Sequence, residues 1–201
     1  MTEIAFCDAN CQIGRHNYRL DGAPFAVADL VEDMKALGIS RRLVHHSMAK
    51  EYDPAVGNKR LLEEINSYEG LDACWAMGSW VTGEMPPPKE LVAAMQAAGV
   101  RAARFFTRYH YVPMEEWSMG ALWSELEAHR IPLFLDIGYR WASMDDFDPE
   151  PVYRLCHAHP ALPVILVKHR MRYNRQPYHL LAACPNLRLE LSGQWNYRAV
   201  E

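Results

Sequence analysis

The 201-residue sequence has no long hydrophobic run. Its longest uninterrupted apolar stretch, Ala161 to Val167, falls far short of the roughly 18 residues that a membrane span needs. The start of the chain lacks the basic-then-apolar pattern of a secretion signal, so the expectation is a cytoplasmic protein with no membrane partner. The five cysteines, Cys7, Cys11, Cys74, Cys156 and Cys184, form no C-x-x-C pair and lie in apolar contexts, which predicts buried free thiols rather than disulfides or a zinc cage. Positive charge is not in excess: 21 Lys and Arg against 25 Asp and Glu give −4, and no general attraction to nucleic acid. There is no G-x-G-x-x-G, no P-loop and no Ser-His-Asp order to suggest another enzyme class. Neither a linker nor a low-complexity segment divides the chain, so residues 1–201 read as a single domain.

What is present is a globular composition, 50% hydrophobic and 23% charged, with a repeating pattern. Apolar, β-branched runs begin near Ile4, Arg42, Asp72, Ala102, Pro132, Pro163 and Leu187. From the second to the sixth the step is 30 or 31 residues, the length of a strand, a crossover helix and a parallel strand. The helices between carry ordinary signals. Pro86, Pro87 and Pro88 open one whose apolar face is Leu91, Val92, Met95 and Ala98, with Gly99 as its stop. Leu30, Val31, Met34 and Leu37 make a similar stripe ending at Gly38. The fold class is therefore α/β, of the (β/α)8 TIM-barrel type, with about seven strands present and the last unit missing. An incomplete barrel exposes a strand edge, which predicts poor solubility unless a homo-oligomer covers it.

In such an architecture chemistry sits at the C-terminal ends of the strands, and these are polar here. The first ends in Asp8-Ala9-Asn10-Cys11-Gln12 followed by Ile13-Gly14-Arg15, the second in His45-His46-Ser47 and the fourth in Phe106-Thr107-Arg108. The fifth ends in Asp136-Ile137-Gly138, the sixth in Lys168-His169-Arg170 and the seventh in Ser192-Gly193. Adjacent His45 and His46 must project to opposite faces, so at most one points into a barrel. Asp136 closes the apolar run Ile131 to Leu135 and needs water, a cation or a proton, with Lys168 of the next strand as the expected salt-bridge partner. From Pro151 onward seven basic residues face Glu190 and Glu201, so this segment is +5 and the rest −9. Within it Lys168, Arg170, Arg172 and Arg175 could clamp a carboxylate or phosphate. Asp53-Pro54 reads as a turn.

The segments Phe6 to Gly14, Gly38-Ile39 leading into Leu43 to His46, Glu51 to Pro54 with Gly57-Asn58, Gly99 to Phe106, Ile131 to Asp136, Leu162 to Leu166 and Pro185 to Gly193 together resemble the amidohydrolase-related family. Its members are metal-dependent TIM-barrel hydrolases and decarboxylases. The resemblance implies H-x-H at the end of strand one, histidines at strands five and six and an aspartate at strand eight. Two imidazoles two residues apart point the same way off a strand, which suits a divalent metal that activates water. Here Asn10 and Gln12 stand at the H-x-H positions, Asp136 at strand five, and Lys168 at strand six with His169 beside it; the strand-eight position lies beyond Glu201. Amides are poor zinc ligands, so the metal motif is degenerate.

Three readings follow. The first is a hydrolase of a small anionic molecule, cleaving a C–N, ester or lactone bond. Its metal site is absent, or is rebuilt for one zinc or manganese ion from Asp8, His45, Asp136 and His169. In it Asp8, His46, Asp136 and His169 are the catalytic candidates, and Asn10, Gln12, Arg15, Arg104, Lys168 and Arg170 bind substrate. The second is a pseudoenzyme that keeps a ligand pocket without catalysis. The third is an isomerase or decarboxylase on the same barrel, since fold does not determine reaction.

Overall fold

The computed structural model describes residues 5–16, 25–107, 109–137, 148–167 and 175–192. It contains seven strands: β1 (Phe6–Ile13), β2 (Ile39–His46), β3 (Leu71–Met77), β4 (Ala102–Phe106), β5 (Leu133–Asp136), β6 (Val164–Val167) and β7 (Leu187–Leu189). Between them run α1 (Val27–Leu37), α2 (Ser47–Glu51), α3 (Pro54–Ile65), α4 (Pro88–Ala97), α5 (Glu116–Ala128), α6 (Glu150–Ala158) and α7 (Arg175–Ala183). The strands begin within three residues of the positions read from the pattern of apolar runs. The helix stops fall at Gly38 and Gly99, both left-handed, with φ of 65° and 69°. Leu37 lies in the last turn of α1 and is 65% exposed, so the buried stripe of that helix is Val27, Leu30 and Met34. No helix among the described residues is long and apolar enough to cross a membrane.

The chain forms two compact units, residues 1–86 with 93–102, and residues 87–92 with 103–201. In the first, β1, β2 and β3 pair in parallel in chain order. Helix α3 is tied to β3 by Asn58, which is 3% exposed: its Nδ2 donates to the Ala76 carbonyl and its Oδ1 accepts from the Ala76 amide, both at 2.8 Å. Asp53 caps α3, its Oδ1 accepting from Val56 N at 2.8 Å, and Pro54 follows at the first helical position. The Asp53-Pro54 turn is thus the helix start itself.

In the second unit β4, β5, β6 and β7 are parallel and again in chain order. Phe105 meets Trp123 of α5 edge to face, with ring centroids 5.3 Å apart, and Leu133, Leu135, Val164 and Leu166 are fully buried. His159, at the end of α6, is held between two carboxylates of α5, with Nδ1 3.0 Å from Glu127 and Nε2 3.1 Å from Glu116. Asn186 donates to the carbonyls of His159 and Leu162 at 2.9 and 3.0 Å, joining the start of β7 to the turn before β6.

Asn58→Ala leaves the amide and carbonyl of Ala76 buried without their partner, so it should lower unfolding free energy by about 2–4 kcal/mol. Urea titration of the variant against the parent chain measures this, and a change below 0.5 kcal/mol would show that the tie carries no weight.

Candidate functional site at the strand ends

β1 does not run smoothly against β2. Asp8 is opposite Arg42 and Cys11 opposite Val44, so the two residues Ala9 and Asn10 face the single Leu43. This extra residue resets the alternation of β1. Beyond it Gln12 pairs with His45 and Ile13 with His46. Paired residues of parallel strands share a face, which divides the strand ends into two polar groups.

One group holds Gln12 and His45. His45 Nε2 lies 3.2 Å from Gln12 Oε1, and Gln12 Nε2 lies 3.1 Å from a ring nitrogen of His16. His16 Nδ1 is 3.7 Å from Glu51 Oε1, whose side chain is only 10% exposed. The chain Glu51, His16, Gln12, His45 has a chemical consequence. With the Gln12 oxygen toward His45, a neutral His45 ring donates from Nε2 and keeps Nδ1 as its acceptor nitrogen. Gln12 Nε2 donates to His16, which orients the amide for this task.

The other group faces the helices. His46 caps α2, its Nδ1 accepting from Met48 N at 3.1 Å, and its Nε2 lies 3.7 Å from Glu64 of α3. Burial holds the His46 pKa below the ordinary histidine value of 6.5, and the Glu64 carboxylate only partly offsets this. Asp8 lies toward the start of β1, where Oδ1 accepts from Asn10 N at 3.0 Å and Oδ2 is 3.9 Å from Arg42 Nε. Arg42 in turn donates to the Leu30 carbonyl of α1 at 3.1 Å. An open groove of about 950 Å³ runs between the start of α1 and α3, with Arg15, Phe25, His46 and Glu64 in its lining. Arg15 stacks over Phe25 at 4.7 Å. Gly14, at φ +82°, closes over the buried Ser47 hydroxyl and the His46 ring, and any Cβ there would overlap both.

In the second unit Arg104 Nη2 donates to Asp136 Oδ2 at 2.6 Å, with the two side chains 2% and 0% exposed. The guanidinium also lies over the Phe106 ring at 5.2 Å. Thr107 donates to the Asp136 carbonyl through both its amide and its hydroxyl, each at 3.2 Å. The described partner of Asp136 is therefore Arg104, two residues before the end of the neighbouring strand, where the sequence suggested Lys168. Lys168, His169 and Arg170 lie outside the described residues.

The structure thus joins Gln12 to His45 and Arg104 to Asp136, and sets Asp8 and His46 on the face that carries Arg42 and Glu64. The donors around Gln12 do not fit a metal ion of the H-x-H kind. Gln12 engages its oxygen with His45 and its nitrogen with His16, and among the described residues no group of three His, Cys, Asp or Glu converges on one point. His16 and Glu51 are the members that the pattern of strand ends misses. His16 follows the Gly14 turn, and Glu51 ends the one-turn helix α2, so neither stands on a strand.

No family model and no curated protein matches the sequence. Among solved structures, an uncharacterized TIM-barrel protein of Bordetella bronchiseptica is 18% identical with a TM-score of 0.62 over 82% of this chain and 58% of its own. A dihydroorotase of Campylobacter jejuni is 10% identical with a TM-score of 0.59 over 91% of this chain and 52% of its own. A probable 2-pyrone-4,6-dicarboxylic acid hydrolase of Acinetobacter baumannii, with citric acid bound, is 11% identical with a TM-score of 0.65 over 94% and 71%. The chain spans little more than half the length of the first two. At these identities the likeness is one of fold, a TIM-barrel type with seven strands.

Two outcomes follow from this geometry. Asp136→Ala strands the Arg104 guanidinium in a buried site and should destabilise by about 3–5 kcal/mol, whereas the Arg104→Met, Asp136→Leu double variant should recover most of that in urea titrations. For His46 the folded pKa is lowered, so below pH 6.5 the unfolded chain takes up the proton first and stability falls as the pH drops. His46→Gln should flatten that fall below pH 6.5; an unchanged slope would mean that His46 titrates alike in both states.

Proposed function

We propose that the chain hydrolyses a small anionic molecule at a C–N, ester or lactone bond, with His45 as general base and without a metal ion. The observation that carries this reading is the hydrogen-bonded run from His16 through Gln12 to His45, with the Glu51 carboxylate 3.7 Å behind His16. A residue that only fills space needs no selected tautomer; a general base does, because one nitrogen must be held basic while the other is anchored. Water adds to the substrate carbonyl as Nδ1 of His45 takes its proton, and that proton then goes to the departing oxygen or nitrogen. Glu51 and His16 orient Gln12, the part that an aspartate plays behind a catalytic histidine. The preference for an anion draws support from the neighbour named for hydrolysis of a dicarboxylic pyrone, which holds citric acid.

The test is a panel of carboxylated lactones, esters and amides, assayed with the purified chain before and after chelation and paired with elemental analysis. The expected result is turnover that survives chelation. His45→Gln should lower kcat/KM by about 10²–10⁴-fold, the usual range for losing a general base. Gln12→Leu should lower kcat and shift the pH profile of kcat/KM, as loss of the anchored tautomer requires. One metal per chain, with activity lost on its removal, would overturn the metal-free mechanism.

A further inference from the structure

Two buried thiols in the second unit have no part in the strand-end chemistry. Cys156 lies on α6 and Cys184 directly follows α7; they are 2% and 1% exposed, and each side chain lies near enough to shift the other's titration. Their backbones are joined at the same place. Asn186, two residues after Cys184, donates through Nδ2 to the carbonyls of Cys156, His159 and Leu162 at 3.3, 2.9 and 3.0 Å. The end of α6 and the turn between α7 and β7 are thus held face to face with a thiol on each side. Of the other cysteines, Cys7 is exposed, Cys11 is buried with its thiol against Asp8, and Cys74 is buried on β3.

We propose that Cys156 and Cys184 are a redox pair, which a small hydroperoxide closes into an intramolecular disulfide that staples α6 to the α7–β7 turn. The bridge would close a loop of 29 residues, Cys156 to Cys184 inclusive, containing β6 and α7. The step balances with hydrogen peroxide as the oxidant. One thiolate attacks a peroxide oxygen, the O–O bond breaks, and a sulfenic acid forms as the first water departs. The second sulfur then attacks the sulfenic sulfur, the S–S bond forms, the S–O bond breaks and a second water leaves. Two electrons pass from the sulfurs to the peroxide.

Burial also sets when this happens. Desolvation, reinforced by the neighbouring Cys184, pushes the Cys156 thiol up to about 12, and burial raises Cys184 as well. Little thiolate is present near neutral pH, so the reduced pair resists alkylating agents and brief oxidation, and reacts when α7 opens locally. A bridge formed there removes freedom from the unfolded chain, so the oxidised form resists unfolding more than the reduced one.

The experiment treats the full chain with hydrogen peroxide, blocks remaining thiols by alkylation, and maps the peptides by mass spectrometry without reduction. The expected product is a peptide pair joining Cys156 to Cys184, lost on dithiothreitol treatment, with Tm raised by about 5 °C in the oxidised form. Cys156→Ser and Cys184→Ser should each abolish both, while Cys7→Ser should leave both intact. The Cys7→Ser chain keeps the test decisive if a core variant fails to fold. Sulfinic acid at either position without a cross-link, a dominant bridge to Cys7, or no oxidation after exposure that modifies Cys7 would each overturn the proposal.

Discussion

Strands β4 and β5 are buried along their whole length, and a polar side chain on such a strand cannot reach water. Each polar side chain on such a strand needs a named partner. Gln12 serves His45, Arg42 serves Asp8 and the Leu30 carbonyl, and Arg104 serves Asp136. The strand-end chemistry grows out of this requirement. Where the chain leaves the sheet, satisfaction by the backbone ladder stops, and residues of the connections, His16 and Glu51, complete the network.

The same constraint separates neighbours in sequence. His45 and His46 are adjacent, yet one meets Gln12 and the other Met48 N and Glu64. Their environments then give them different chemistry. His46 is anchored by a helix amide and kept neutral by burial, a structural cap. His45 instead meets the Gln12 amide, which is itself held by His16. The buried Arg104–Asp136 pair is closed to solvent, each charge facing the other at 2.6 Å.

The strands, the helix stops at Gly38 and Gly99 and the opposite facing of the two histidines were all legible in the sequence, because each follows from a local rule: period, cap or alternation. The bulge at Ala9 and Asn10 was not, since nothing in those residues marks that they share one partner. It moves Cys11 to the side of Asp8 and Val44, and so decides which residues of Asp8 to Gln12 stand together. Asp136 was legible as a charge ending an apolar run, but its partner was not. Arg104 reaches it from the neighbouring strand, a contact that depends on register and side-chain reach, while Lys168 lies outside the described residues.

By itself, then, the sequence determined the order of elements, the parallel βα architecture and the polarity of the strand ends, because hydrophobic period and turn chemistry act over a few residues. Tertiary structure alone decided the pairings: which amide meets which imidazole, which carboxylate meets which guanidinium, and that Cys156 lies near Cys184. Those contacts join residues about 30 apart in the chain, one βα unit from the next. They depend on strand register, which a single bulged residue is enough to change.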